Sequence, residues 1–247
     1  MPKFYGKLPP REDARRLRFA TLLAPQLGPA PSAVDLTCGI TEWGMMLNDV
    51  EGDCTVAGRA HMILSMSAAA TGKPIIVSDA AIQTAYQAVC PTFDPATGAG
   101  DNGALCTDVL ELSRTVGIGG YKIDAWAAID LTNPQHIAQA IYYLGGAYIG
   151  INFPSSAEQQ FDAGQPWTTP WFSPIAGGHC IPLVAYTSYG PACVTWGRVQ
   201  WMSWDFFAKY CDEAYAVQDH LWLTASNKTP PGFDASILPT ALAAVAA

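Results

Sequence analysis

Cys54 lies where a polar, glycine-containing loop changes into a run with helical spacing of apolar residues, in the segment "NDVEGDCTVAGRAHMILSM". A thiol becomes a strong nucleophile only as a thiolate. The first N–H groups of a helix, together with the helix dipole, favour a negative charge at that end. The position of Cys54 therefore indicates a nucleophile, although a cysteine in an apolar run is also commonly a buried core residue.

An activated thiol needs an imidazole partner, and the chain has four histidines, at positions 61, 136, 179 and 220. His61 lies two helical turns after Cys54, about 10 Å away along the helix, which is too far for a direct pair. His179 lies in "AGGHCIPLVAY", where two glycines permit close backbone approach before a hydrophobic run. We therefore predict that His179 is the base for Cys54, with a purely structural histidine as the alternative.

The elements that must position this pair differ between the two halves of the chain. Helical spacing predicts a short helix near 13–23 and longer helices over about 55–71, 79–89, 107–115 and 134–144. The later runs "AYIGINF", "HCIPLVAYTSY", "ACVTWGRVQWMSW" and "EAYAVQDHLW" have the composition of strands, and "DFFAKYC" that of a helix. The pattern predicts an α+β fold in which a mainly helical half meets a β half at a cleft.

We divide the chain into three parts by composition. A Pro- and Arg-rich arm covers residues 1–40, a body covers 41–225, and a C-terminal tail over 226–247 packs on the body. The body comprises a helical lobe over about 41–145 and a β lobe over about 146–225. The tail segment "ILPTALAAVAA" predicts a short peripheral helix.

The charge distribution is uneven along the chain. The first 18 positions hold six of the thirteen Lys and Arg residues but only two of the twenty-one Asp and Glu residues, so this head carries +4 and the rest −12. An acidic body argues against nucleic acid as a partner. The basic arm has two interpretations: it lies on its own acidic body, or it docks to an acidic partner.

The cysteines and the hydropathy pattern bound the setting of the protein. The seven cysteines include no CxxC pair and no zinc-binding spacing, so we expect no metal or other cofactor and mostly reduced thiols. Cys90 and Cys106 form the best candidate for a disulfide. The sequence shows neither a signal peptide nor an apolar run of membrane-spanning length, so we expect no membrane association.

Three blocks, in this order, resemble the papain family of cysteine peptidases. "NDVEGDCTVAGRAHMI" resembles the active-site loop and central helix, "DNGALCTDVLELSRTVGI" the Asn-Gly-Gly segment, and "GGHCIPLVAY" with "VTWGRVQW" the histidine and tryptophan strands. The resemblance covers about residues 41–217 and implies a two-lobed fold, antiparallel β in its C-terminal half, that cleaves a peptide or protein substrate. "GDCT", "TWG" and "DEAYAV" also look like uncharacterised papain-like proteins of bacterial and phage origin.

The resemblance implies roles for individual residues. Cys54 would be the nucleophile and His179 the base that pairs with it. Asn48 stands six residues before the nucleophile, where the family has its oxyanion-hole glutamine, and the Cys54 backbone N–H would be the second donor. Asn102 and Gly103 would line the cleft and offer backbone groups to an extended peptide.

The chain departs from the family pattern around both active-site residues. The segment 194–197 reads Val-Thr-Trp-Gly and lacks the asparagine that orients the histidine, so the Thr195 hydroxyl would accept the ring N–H instead. Trp196 would shield the pair from water, and Gly178 would line the cleft beside it. Thr55 follows the nucleophile where the family has tryptophan in most members, and Glu51 replaces a disulfide-forming cysteine.

Together these features favour a thiol hydrolase that cleaves peptide or amide bonds through an acyl-thioester of Cys54. Two alternatives stay open. One is a non-catalytic papain-fold binding or structural protein, phage-associated, with the arm as its docking element. The other is a transglutaminase-like acyl transferase, whose dyad has the same Cys-then-His order. We expect a cytoplasmic or virion-associated protein.

Overall fold

The structure is a computed structural model that describes residues 2–11, 17–37, 39–224 and 226–235. The predicted helix in the C-terminal tail and Cys38 lie outside these residues, as does part of the predicted helix near 13–23. The helices are α1 Phe19–Leu22, α2 Cys54–Thr71, α3 Asp79–Val89, α4 Cys106–Thr115, α5 Pro134–Leu144, α6 Ser155–Asp162 and α7 Trp204–Tyr210. The strands are β1 Val34–Asp35, β2 Ile123–Ala128, β3 Ala147–Pro154, β4 Ile175–Tyr186, β5 Pro191–Thr195, β6 Arg198–Trp201 and β7 Cys211–Asp219.

Local signals explain the helix ends. The Ser78 hydroxyl accepts the Ala81 N–H at the start of α3, and the Asn133 side chain caps α5 just before Pro134. Helix α2 ends at Gly72, whose φ of 72° is the left-handed conformation that suits glycine. The four long helices predicted from the sequence are confirmed within one residue at each end.

The strands form one antiparallel sheet in the order β2-β7-β3-β4-β5-β6, with the short β1 paired to β4. Strand β4 lies near the centre and carries His179, which is opposite Ile151 on β3. Helix α2 packs against β4, and Gly58 lies at this contact, where an added Cβ would be 3.4 Å from the Cys180 carbonyl oxygen. The first turn of α2 and the middle of β4 therefore lie side by side.

The architecture confirms the predicted α+β fold, with helices concentrated in the first half and the sheet mainly in the second. Three elements were not predicted: the two-residue strand β1, strand β2 and helix α6. Strand β2 lies within the predicted helical lobe but pairs with β7, and helix α6 follows β3 directly. In β2 exposed and buried positions alternate over only six residues, which is a weak signal in a single sequence.

Cys90 and Cys106, the best candidates for a disulfide, are not bonded to each other, and both are buried reduced thiols. The Cys106 thiol instead contacts the Cys180 sulfur at 3.5 Å, inside the core beside β4. Among the described residues, no helix is long and apolar enough to span a bilayer, and no group of three or more His, Cys, Asp and Glu side chains is placed to hold a metal ion.

Candidate active site

The structure brings together the four side chains that the sequence proposes for chemistry. Cys54 from the first turn of α2, His179 from β4 and Thr195 from the end of β5 line one small cavity, together with Asn48 from the preceding loop. The indole of Trp196 closes one side of this cavity. The roles of these residues remain predictions, but their convergence is a property of the fold.

Cys54 is almost completely buried, with 1% of its surface exposed. It is the first residue of α2, so its N–H has no acceptor within the helix. The backbone N–H of Gly6 donates to its sulfur at 3.4 Å. Burial raises the pKa of the thiol, and the neighbouring Cys180 raises it further. In this state Cys54 is therefore a protonated thiol.

His179 is buried and held on two sides. Its Nε2 lies 2.7 Å from the Thr195 hydroxyl, and its ring stacks on Trp196 with centroids 4.4 Å apart and planes 14° from parallel. Nδ1 has no hydrogen-bond partner among the described residues. Burial, assisted by His61, lowers the pKa of His179 to about 3, so the ring is neutral.

The stacking residue sits in a tight turn between β5 and β6. Trp196 and Gly197 form this two-residue connection with φ of 44° and 76°. A two-residue hairpin loop of the favoured type requires positive φ at both positions, which is strained for a tryptophan. The strained Trp196 is kept in place by its contacts with His179, Phe153 and Phe161.

Asn48 lies in the cavity wall with its amide already engaged. Its Nδ2 donates to the Glu51 carbonyl oxygen at 3.1 Å and to the Phe4 carbonyl oxygen at 3.3 Å. The donor predicted for an oxyanion thus points at a backbone carbonyl of the N-terminal arm. The amide N–H group is placed to donate to a peptide carbonyl, and here that carbonyl belongs to Phe4 of the same chain.

The predicted cleft residues differ in what they contact. Gly103 and Gly178 touch the arm, since a Cβ on either would overlap a backbone carbonyl oxygen, of Gly6 or Lys7. Asn102 instead hydrogen-bonds to Thr92 within its own loop.

His61 is a buried structural histidine rather than a partner of Cys54. Its Nε2 lies 3.2 and 3.1 Å from the carbonyl oxygens of Trp43 and Gly44, which can only accept, so this nitrogen donates. Burial lowers the pKa of His61 to about 4, an effect that these hydrogen bonds only partly oppose.

Residues 3–8 of the N-terminal arm run through the cleft and cover the cavity. The Lys7 N–H donates to the Gly178 carbonyl, the Ala104 N–H to the Gly6 carbonyl and the Leu8 N–H to the Ala104 carbonyl, at 2.7–3.0 Å. The arm therefore bridges the two lobes as an extended chain. Its backbone passes directly over the sulfur of Cys54.

Side chains of the arm complete the cover. The Tyr5 ring packs edge-on against His179, with centroids 5.9 Å apart, and its hydroxyl donates to Glu158 at 3.0 Å. The Lys3 ammonium pairs with Asp162 at 2.5 Å. Of the two interpretations of the basic head, the one in which it lies on its own acidic body describes residues 3–8.

Comparison with solved structures identifies the fold. Xylellain, a cysteine protease from Xylella fastidiosa, matches with a TM-score of 0.68 at 15% identity, over 88% of this chain and 96% of its own. The chain has a papain-like fold. Procathepsin B S9 from Trypanosoma congolense (TM-score 0.58, 10% identity, 88% of this chain and 87% of its own) and a Carica candamarcensis cysteine protease in complex with E-64 (0.53, 13%, 76% and 99%) agree. No family model and no curated protein matches the sequence.

Within this papain-like fold, the residues that cover and flank the cavity were not predicted from the sequence. They are Tyr5, Gly6 and Lys7 in the arm, with Asp212 and Glu213 in the body. The basic residues of the head and the acidic residues Asp212 and Glu213 were visible in the sequence as opposite charges. Their contact, over about 205 positions, is a tertiary feature that no local pattern contains.

Proposed function

We propose that the protein is a papain-like cysteine hydrolase of peptide or amide bonds, held in a covered state by its own arm. The observation that carries this proposal is the single cavity shared by the Cys54 thiol, the His179 imidazole and the Asn48 amide. An extended backbone already lies across that cavity through main-chain hydrogen bonds, which is how a cleft of this kind would bind a peptide.

The chemistry follows from the positions of these groups. Nδ1 of His179 accepts the proton of the Cys54 thiol, while Nε2 keeps its hydrogen bond to the Thr195 hydroxyl. The sulfur then attacks the substrate carbonyl carbon. The oxyanion receives hydrogen bonds from the Asn48 amide and the Cys54 N–H. When the C–N bond breaks, His179 protonates the leaving amine and an acyl-thioester remains. Water, deprotonated by His179, then releases the carboxylic acid and returns the thiol.

The arm controls the charge state of this pair. Burial is the largest cause of both pKa shifts, upward for Cys54 and downward for His179, so the covered pair is neutral. Withdrawal of the arm would admit water and move both pKa values back toward their ordinary ranges. A thiolate and an imidazolium would then become accessible near neutral pH.

Alkylation of Cys54 tests the proposal in a variant whose arm cannot seat. An added Cβ at Gly6 would overlap the Gly52 carbonyl, so Gly6→Ala should release the arm in the full-length chain. We expect iodoacetamide or an E-64-type epoxide at pH 7 to label Cys54 in Gly6→Ala much faster than an ordinary thiol, and only slowly in the wild type. Cys54→Ala should abolish any peptide turnover, whereas Cys193→Ala, a buried thiol on β5, is the matched control.

A non-catalytic binding module is the second candidate function, and the filled cleft favours it. In that case the arm is a permanent part of the fold, and Cys54 is a core thiol. Labelling of Cys54 in Gly6→Ala at or below the rate of an ordinary thiol would support this alternative against hydrolysis. If Cys54 is reactive, addition of an amine and a search for ligated product would separate acyl transfer from hydrolysis.

A further inference from the structure

The side chain of Lys7 leaves the arm beside Cys54 and enters an acidic pocket. Lys7 follows Gly6, whose N–H contacts the Cys54 sulfur, and only 1% of the Lys7 side chain is exposed. Its ammonium lies 2.8 Å from Asp212 Oδ2 and 3.2 Å from Glu213 Oε1. The cleft thus contains a buried site for a cation next to the proposed nucleophile.

A β-bulge explains why two consecutive carboxylates reach the same ammonium. Neighbouring residues of a regular strand point to opposite faces of the sheet. Strand β3 pairs Gly150 with Glu213 and Ile151 with Cys211, so Asp212 is an extra residue on β7. The phenol of Tyr215 donates to the other oxygen of Glu213 at 2.6 Å and holds that carboxylate in place.

The body supplies the wall and both carboxylates of the pocket, and the arm adds one contact, the Leu8 carbonyl oxygen, which accepts from the Lys7 ammonium at 3.2 Å. Gly150 on β3 forms its side, and an added Cβ there would overlap Cε of Lys7 and lie 2.7 Å from Cγ of Glu213. The missing side chain at Gly150 therefore makes room for a long aliphatic stem. Since Gly150, Asp212 and Glu213 all belong to the β sheet, the pocket persists when the arm leaves.

The charge of the pocket selects its occupant. Two carboxylates face one ammonium, and Asp212 Oδ1 has no hydrogen-bond donor among the described residues. A guanidinium, with five N–H donors in a planar fork, suits such a pair of acceptors as well as an ammonium does. A neutral side chain would leave buried carboxylates unpaired, which is unfavourable.

We propose that the pocket formed by Gly150, Asp212 and Glu213 binds a lysine or arginine side chain of the substrate, and that Lys7 is its occupant in the covered state. The inference rests on the proposed function in one respect, since it assigns the pocket to a peptide that Cys54 attacks. Loss of one partner from a buried charge pair weakens binding on the order of 100-fold, which sets the expected preference for a basic side chain.

The test uses the full-length double variant Gly6→Ala/Lys7→Met, in which the arm neither seats nor fills the pocket. The probes are peptidyl epoxides in which one side chain at a time is Lys, Arg, norleucine or Glu. Mass spectrometry measures the rate at which each probe alkylates Cys54. We expect Lys and Arg to react on the order of 100-fold faster than norleucine at one peptide position, and Glu to be slowest. Tyr5→Ala/Lys7→Met is a second opened variant in case the first is poorly folded.

The acidic residues are then neutralised in the same background. Asp212→Asn and Glu213→Gln should each reduce the preference for a basic side chain while iodoacetamide still labels Cys54. Glu158→Gln, which removes a carboxylate that contacts Tyr5 elsewhere in the cleft, is the matched control and should leave the preference unchanged. Equal rates for Lys and norleucine, with Cys54 labelled by both, would overturn the pocket assignment.

A binding measurement separates this inference from the proposed function. If no electrophile labels Cys54, the hydrolase proposal fails, and calorimetry at pH 7 decides about the pocket alone. The peptide PKFYGKLPP, residues 2–10 of this chain, is titrated into Gly6→Ala/Lys7→Met beside the same peptide with norleucine at position 7. Tighter binding of the lysine peptide supports the pocket, and equal or absent binding overturns it.

Discussion

Two buried ion pairs of this protein join different kinds of segment. Arg59 on α2 pairs with Asp219 at the end of β7, and the side chains of both are fully buried. Lys7 pairs with Asp212 and Glu213 at the start of the same strand, but it belongs to the N-terminal arm. The first pair joins two elements of the body, whereas the second joins the body to a segment that lies over the candidate active site.

The difference shows how the same interaction serves two purposes. Neither partner of Arg59–Asp219 can reach water without opening the core, so breaking that pair leaves an uncompensated buried charge. The carboxylates around Lys7 become hydrated if the arm withdraws, which requires only local opening. Burial of charge therefore joins two elements of the body in one place and holds the arm over the candidate site in the other.

Breaking the body pair should give the largest effect on stability. Asp219→Asn leaves the Arg59 guanidinium buried without its counterion, and we expect the free energy of unfolding to fall by about 3–5 kcal/mol. Urea denaturation followed by circular dichroism measures this loss. Asp205→Asn, an exposed acidic residue on α7, is the matched control and should change stability little. A loss in Asp219→Asn no greater than in the control would remove the distinction between the two pairs.

Acid should reveal the next largest effect, through the two buried histidines. The folded pKa of His61 is about 4 and that of His179 about 3, both below the unfolded value of 6.5. As pH falls below 6.5 the unfolded chain binds protons first, so stability is lost between about pH 6.5 and 4 for His61 and between about pH 6.5 and 3 for His179. Each histidine should contribute about 2–3 kcal/mol of loss at pH 4.5, measured by urea denaturation at several pH values.

This acid response also tests whether the arm sets the environment of His179. In Lys7→Met the cleft opens and the pKa of His179 moves upward. The pH dependence of the free energy of unfolding should then shrink to the contribution of His61. His61→Gln, whose amide can still donate to the carbonyls of Trp43 and Gly44, should remove the other part. An unchanged pH slope in both variants would mean that neither histidine is the source.

Breaking the arm pair should have a smaller effect on global stability but a clear effect on access. Lys7→Met should lower the free energy of unfolding by about 1.4–2.8 kcal/mol, because the loss cannot exceed the free energy with which the arm seats on the body. Alkylation of Cys54 by iodoacetamide should accelerate on the order of 10- to 100-fold, which is the same free energy expressed as a ratio of open to covered molecules. Lys73→Met, at an exposed lysine far from the cleft, is the control. Equal alkylation rates in both variants would show that Lys7 does not hold the cover.

The sign of the Lys7 pKa shift sharpens this prediction. Burial lowers the pKa of Lys7, but the hydrogen bond to Asp212 and the charges of Glu213 and Asp212 outweigh it, and the net shift is upward from 10.5. The stabilisation of the arm by this group is therefore fully present below pH 10.5 and lost above it. Slow alkylation of Cys54 should persist from pH 7 to 9 once the rate is corrected for thiol ionisation.

The smallest expected effect is at Thr195. Thr195→Val removes the hydroxyl 2.7 Å from His179 Nε2 and should cost about 1 kcal/mol of stability. If the opened protein is active, kcat should fall more than KM changes, and Thr195→Ser should restore it. A fall in kcat that serine does not restore would assign Thr195 to packing rather than to orientation of the ring.

The elements that carry the candidate site could be predicted because their signals are local. The change to helical spacing at Cys54, the Asn-Pro cap before α5 and the strand run around His179 each lie within a short window of sequence. Strand β2 and helix α6 escaped because they are short and have weak periodicity. The candidate Cys90–Cys106 disulfide does not form, because closeness in sequence does not bring two sulfurs together, and Cys106 packs against Cys180 on β4 instead.

The residue types at positions 54, 179 and 195, and the helix and strands that bear them, are encoded in the order of the amino acids. The protonation states of Cys54 and His179 are not, because they depend on burial under an arm that comes from far away in the chain. The acidic pocket likewise requires a bulge in β7 and the approach of Lys7 across about 205 positions. Such contacts arise only when packing brings distant segments together, since periodicity and capping act over a few residues.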